Sequence, residues 1–347
     1  MTKLQLETHR VWVGIVDSVL IPFLVLLGFA APALAQHTLY VCAANTTQYA
    51  VGTKLAPSGV FRKTSGGAWE QVGFNHPFTN ALAWDAGDLA TLYLAAGNGL
   101  IRLADRGANW RILTGSDVTE LRDLAVDLNR PGSIYFSHTT GIAVTHDSGR
   151  TWHDATGNIK RRYSEAIRVD RQHQDVLLAG TEAGLFRSEN AGNAWKLVGA
   201  AGFQIPRVEQ SPHDACFWMA ATQGGGVFTS HDCGQTFESA GSVGVGRNLY
   251  DIAWDPHDPK RIALAGFGFG VAVSDDSGKS WVFRNSGLPR QDSWSLAFDP
   301  DHAGRLYAGI HEAALYVSDD LGLTWRSDGL PGTTITRIQF VPNAVGK

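Results

Sequence analysis

Charge of a single sign is what this 347-residue chain most plainly lacks: 29 Lys and Arg face 33 Asp and Glu, a net −4 at pH 7. Without a basic excess there is no electrostatic footprint for nucleic acid, and none is expected as a partner. Cysteine is scarce too. Cys42, Cys216 and Cys233 permit one bridge in an oxidising compartment and leave one thiol over. No long amphipathic helical pattern occurs, which argues against a helical architecture. Catalytic signatures are missing as well. There is no Gly-x-Ser-x-Gly elbow, no phosphate-binding Gly-rich loop before a helix, and no His-x-x-x-His or Cys-x-x-Cys pair. Neither a metal nor a cofactor is therefore expected. The strings Gln223-Gly224-Gly225-Gly226 and Gly266-Phe267-Gly268-Phe269-Gly270 read as hairpin turns, not nucleotide sites.

What is abundant is glycine, at 39 residues, and tryptophan, at 11. That composition suits an all-β domain with many tight turns. Residues 1–35 stand apart. Lys3, His9 and Arg10 precede an apolar run from about Val11 to Ala31, broken by Asp17 and Pro22. The run ends in Ala33-Leu34-Ala35, the small-x-small pattern of a signal peptidase site. The segment reads as a secretory signal cleaved after Ala35, with a retained N-terminal anchor as the alternative. Cleavage would leave no stable membrane span and place the mature chain, 36–347, in a periplasmic or extracellular space.

A turn of the form Ser-x-Asp-x-Gly-x-Thr-Trp recurs along that mature chain. Ser318-Asp320-Gly322-Thr324-Trp325 is complete, and good copies lie at Thr145 to Trp152, Ser230 to Phe237 and Ser274 to Trp281. Ser188-Asn190-Gly192-Ala194-Trp195 is weaker. Worn copies end at Trp110, with Asp105 and Gly107, and at Trp69, with Gly66. The closing aromatics fall 41 to 44 residues apart, a period that marks a repeat architecture.

One unit reads as four short strands. Trp294 to Phe298 stops at Asp299-Pro300; Arg305 to Ile310 and Ala314 to Ser318 follow, and Trp325-Arg326-Ser327 begins the fourth after the turn. First-strand segments recur at 81–85, 123–127, 166–170, 207–211, 251–255, 295–299 and 337–341. Four-stranded units in such number describe an all-β, seven-bladed β-propeller. The mature chain opens on a second strand, from Thr38, and closes on a first strand, Thr336 to Phe340. The C-terminal strand therefore completes the first blade, which removes free sheet edges. A hairpin also brings Cys216, at a strand start, to the same edge as Cys233 in the following turn, and a disulfide between them is expected.

The motif resembles the Asp-box, or BNR, repeat of sialidases, sortilin-type receptors, xyloglucan-cleaving hydrolases and the photosystem II assembly factor family. Its role is structural: the Asp accepts turn N–H groups, the Gly supplies an unusual backbone conformation, and the aromatic packs as a wedge. Asp147, Asp232, Asp276 and Asp320 are accordingly joints rather than catalytic groups. The resemblance implies that the motif lies away from the face where ligands bind.

Function is then expected on the loops between strands 4 and 1 and between strands 2 and 3. These carry Arg161, Arg162, Tyr163, Arg247, Tyr250, Arg290 and Trp294, a set suited to an anionic glycan or an acidic protein segment. A glycoside hydrolase would need paired carboxylates, for which Asp251 or Asp292 with Glu165 are the candidates. Asp123, Arg207, Asp251 and Arg337 share the first position of inner strands, where they are expected to pair across the channel. Sialidases carry an early Arg-Ile-Pro segment that this chain lacks, and the xyloglucan-cleaving hydrolases place their cleft between two propellers. The reading is a monomeric platform for a protein or carbohydrate ligand, with a glycoside hydrolase as the alternative.

Overall fold

Each second strand is a short apolar run buried on both faces, such as Leu306–Ile310 and Leu177–Thr181. A strand without a polar face must lie in a sheet covered on both sides. Third strands are mostly buried, as in Gly270–Ser274, and the outer strands His153–Asp154 and Val282–Phe283 are exposed. Burial is thus deepest in the middle strands of a unit and least at its outer edge.

The computed structural model describes residues 36–45, 58–73, 75–85 and 87–343. The proposed signal segment and residues 46–57 lie outside them. The described chain forms five four-stranded antiparallel sheets and one eight-stranded sheet. The latter is two four-stranded units joined where Gln223 pairs with Asn248 and Gly225 with Val245. The units number seven.

The innermost strands are Thr79–Asp85, Leu121–Val126, Ser164–Val169, Gln204–Gln210, Val245–Trp254, Ser293–Phe298 and Thr333–Pro342. Each touches the next, and the last touches the first, so the sheets close into a β-propeller ring. Thr333–Pro342 is the inner strand of the blade that begins at His37–Asn45. Lys63 Nζ holds Asp328 at 2.6 Å and Trp69 Nε1 donates to the Asp328 carbonyl at 2.8 Å, tying that blade to the last one.

Apolar clusters occupy the seams rather than a single centre. One joins Ala253, Ala263 and Val271 to Leu296, Phe298 and Leu306, and each of the other six seams has its own. A fully buried Leu such as Leu306 contributes about 1.5–3 kcal/mol relative to exposure. The core is therefore a ring of wedges.

The repeated turn joins strands 3 and 4 and is built as its residue types require. Ser318 Oγ donates to Asp320 Oδ1 at 2.6 Å and accepts Gly322 N at 2.7 Å. Thr324 N reaches Asp320 Oδ1 and Thr324 Oγ1 reaches Oδ2, at 2.8 and 2.6 Å. The Gly backbone has φ of +88° at 322 and +80° at 234, where a Cβ would be strained. The Trp indole crosses the seam: Trp152 Nε1 donates to Leu113 O and Trp325 Nε1 to Arg284 O. The first worn copy differs from the sequence reading. Positive φ falls at Gly67, not Gly66, in a tight hairpin where Gly67 N donates to Thr64 O at 2.9 Å. With no Ser and Asp to hold the longer turn, the chain takes the shorter one.

Cys216 and Cys233 form a disulfide with a sequence separation of 17. Cys42 is buried in the seam beside Thr79, and burial pushes its thiol up to about 12. No helix of the described residues is long and apolar enough to cross a membrane.

Candidate functional site

Inner strands do not pair regularly with their neighbours. Register skips one residue between Thr79 and Ala81, Leu121 and Asp123, Ser164 and Ala166, Leu249 and Asp251, and Ser293 and Ser295. Two residues are skipped between Gln204 and Arg207, and Thr336 is passed over opposite Cys42. A bulge frees one residue from the ladder and re-aims its side chain. Here it occurs in every blade at one level, so Asn80, Arg122, Glu165, Tyr250, Trp294 and Thr336 form a ring on the face of the 4–1 and 2–3 loops, the upper face.

Contacts run around that ring. Asn80 Nδ2 donates to Leu121 O at 2.7 Å, and the Arg122 guanidinium sits 5.4 Å over the Tyr163 ring. Tyr163 Oη donates to Glu165 Oε1 at 2.9 Å. Tyr250 and Trp294 stack with centroids 4.6 Å apart and planes 14° from parallel. Trp294 stacks in turn on His311 at 5.5 Å, and Phe267 meets His311 edge-on at 5.9 Å. Thr334 Oγ1 lies 3.0 Å from His311 Nδ1. The four aromatic rings form a continuous shelf over the last two blades. Phe267 is 42% exposed, so the shelf is not buried in the fold. Arg290 and Glu312, 3.9 Å apart, flank it.

Electrostatics at the ring favour neutral acids. Burial raises the Glu165 carboxyl above the ordinary range, against the Tyr163 hydrogen bond that lowers it. Burial and the Glu165 charge push the Tyr163 phenol up to about 12, and Tyr250 is raised by the same two causes. A phenol so raised stays protonated at neutral pH and is a weak nucleophile. Trp294 Nε1 and Arg122 Nε are buried donors without an acceptor among the described residues.

The sequence-derived residues divide. Tyr250 and Trp294 come together on the shelf, with Arg290 at its edge, and Tyr163 and Glu165 meet within a single blade. Arg247 is exposed, with Nη1 over Gly268. Arg162 turns outward to Asp154 at 2.6 Å, on an outer strand, and Arg161 is exposed beside it. Asp292 accepts Gly268 N at 2.9 Å and so pins the hairpin that presents Phe267. Asp251 is elsewhere: at 3% exposure it faces the channel and accepts Arg207 Nε at 2.6 Å, Ile252 N at 2.9 Å and Leu296 N at 2.9 Å.

Asp251 ends a chain of alternating charges. Arg337 Nη2 holds Asp123 Oδ1 at 2.9 Å, and Asp123 in turn holds Arg168. Arg168 Nη2 meets Glu209 at 2.6 Å, Glu209 lies 3.6 Å from Arg207, and Arg207 meets Asp251. The sequence reading included four of these six groups and missed Arg168 and Glu209. Their signal was present: at that position the other inner strands carry Ala83, Ala125, Ala253, Ala297 and Gln339. His311 and Phe267 were visible only as loop residues, because the contact between them crosses from one blade to the next.

No family profile and no curated protein matches this chain. Solved structures do. A GH74 xyloglucanase from Xanthomonas campestris superposes with a TM-score of 0.61 at 18% identity, over 74% of this chain and 46% of that one. YCF48 from Cyanidioschyzon merolae gives 0.59 at 16%, over 77% and 90%. A YCF48 bound to a D1 peptide gives 0.56 at 18%, over 73% and 84%. At such identities the likeness is one of fold. The chain spans between 32% and 46% of the length of the GH74 structures it matches.

Proposed function

We propose that this protein is an exported, monomeric propeller of the Asp-box type whose upper face binds a protein segment or a glycan. The shelf of Tyr250, Trp294, His311 and Phe267 carries the reading. It is preassembled by stacking, partly exposed, edged by Arg290 and Glu312, and supplied with an unused Trp294 N–H. Aromatic faces take sugar rings or peptide apolar groups, and rigid aromatics concentrate binding energy. The acid–base candidates are meanwhile engaged in holding the fold: Asp251 by Arg207, Asp292 by Gly268 N. The YCF48 structures also align over 84% and 90% of their own length, one of them with a peptide bound.

A glycoside hydrolase remains the second reading, favoured by Glu165. Its half-buried, raised carboxyl beside Tyr163 has the character of a general acid. The two are separated by screening the mature chain on peptide and glycan arrays and assaying turnover of the glycans. Binding that falls about 30-fold or more in Trp294→Ala, roughly 2 kcal/mol, supports the platform. Turnover that disappears in Glu165→Gln with binding retained would replace it with the enzyme. Binding indifferent to Trp294→Ala and to Arg290→Ala would sink the shelf as the site.

A further inference from the structure

The channel has a second end. Beyond the belt of alternating charges it widens into a cavity of about 630 Å³ on the lower face, where the 1–2 loops contribute Leu128, Pro212, Pro256 and Pro300. A volume of this order suits one small molecule, since ligand pockets run about 300–1,000 Å³. Resemblance to the repeat family directs attention to the upper face, yet this cavity opens on the side of the repeated turns.

Its walls and its closed end differ in chemistry. The fourth position of the inner strands supplies Trp84, Val126, Trp254, Phe298 and Phe340, and small Ala297 and Ala253 leave the space between them. At the closed end the lining includes Arg168, Arg207 and Arg337 against Asp123, Glu209 and Asp251, three charges of each sign. At the rim, exposed Arg171 donates to the Ser211 carbonyl and His37 is engaged by Asp301.

Charge is balanced there, but hydrogen bonding is not. All the carboxylate oxygens of Asp123, Glu209 and Asp251 accept at least one bond. Two donors are left over: among the described residues Arg207 Nη1, on a side chain only 4% exposed, has no acceptor, and neither does Arg337 Nε. A buried donor without a partner is destabilising. The closed end therefore asks for an oxygen acceptor, which guanidinium donors favour as a carboxylate, and the walls ask for an apolar body.

We propose that this cavity is a binding site for a small apolar monocarboxylate, a medium-chain or aryl-substituted carboxylic acid. Its carboxylate accepts from Arg207 Nη1 and Arg337 Nε, and its apolar body lies along Trp254, Phe298 and Phe340. No covalent step is involved. The site is independent of the upper-face shelf, so either can fail alone.

Dodecanoate and dodecanol are the probes, titrated into the mature chain by calorimetry with the tryptophan emission followed in parallel. Dodecanoate should bind at one site and at least about tenfold more tightly than the alcohol, the margin of a charge-assisted hydrogen bond. Arg207→Lys keeps the charge but loses the fork, and should erode most of that margin. Ala297→Phe fills the cavity without removing any group of the ion pairs, and should abolish binding while the far-ultraviolet spectrum and melting temperature hold. Trp294→Ala should leave dodecanoate affinity unchanged. Absence of saturable dodecanoate binding overturns the proposal, as does equal affinity for the alcohol or undiminished binding by Ala297→Phe.

Discussion

Arg207→Met removes one partner of a fully enclosed pair, and its cost follows from what Asp251 retains. Asp251 is 3% exposed and accepts Arg207 Nε at 2.6 Å, with Ile252 N and Leu296 N each at 2.9 Å. Methionine approximates the volume of the arginine stem, so the packing loss is small and the electrostatic loss dominates. Breaking a buried pair in this way costs about 3–5 kcal/mol, because one charge stays behind without compensation. At roughly 2 °C per kcal/mol for a chain of this size, the melting temperature should fall by about 6–10 °C. The double variant Arg207→Met, Asp251→Asn should recover much of that, giving a coupling energy of about 1–3 kcal/mol in a double-mutant cycle. pH supplies an independent check. Burial already raises the Asp251 carboxyl, with Arg207 opposing it, and loss of Arg207 raises it further. An acid whose pKa is higher in the fold than in the unfolded chain binds more protons when folded, so stability falls as pH rises between the two values. The deficit of Arg207→Met should therefore be smallest near pH 4 and grow toward pH 8. A loss under about 1 kcal/mol, or one independent of pH, would refute the buried-pair reasoning.

The turn carboxylates should behave in the opposite way. Hydrogen bonds from Ser, Thr and backbone N–H groups hold Asp276 and Asp320 down to about 2, and Asp232 is held there by the same bonds against a burial effect that opposes them. With unfolded values near 3.9, their stabilisation is complete above about pH 4 and is lost as pH falls toward 2. Asp276→Asn should flatten the acid limb of the melting profile, and an unchanged limb would contradict that role. Replacing Cys216 and Cys233 by Ser should cost up to about 3 kcal/mol in the chain-entropy account of a loop of this length, read as a shift in urea midpoint.

How much of this was legible beforehand can be judged residue by residue. Trp325 and its six counterparts announced the repeat because each is a large apolar group at a fixed phase behind a turn with few alternatives. Local chemistry was enough: an Asp, a Ser and a Gly at set spacing can satisfy one another only in one kind of turn. Where those residues were missing, at Gly66, the reading slipped by one position. Asp251 was legible as an inner-strand charge, but its partner could not be chosen. Arg207 and Arg337 were equally available, and Arg168 and Glu209 went unnoticed at a position where small residues prevail.

The sequence by itself determined the blades, their number and the joining of the ends, because strand, turn and wedge are written within some forty neighbouring residues. Only the tertiary structure decided what the inner strands present. The repeated bulge sets Tyr250, Trp294 and Glu165 on one level, and ring closure decides that Asp251 meets Arg207 while Tyr250 meets Trp294. Those contacts join groups in different blades, brought together only when the circle closes. Period reports what each blade does for itself; chemistry at the axis depends on all seven at once.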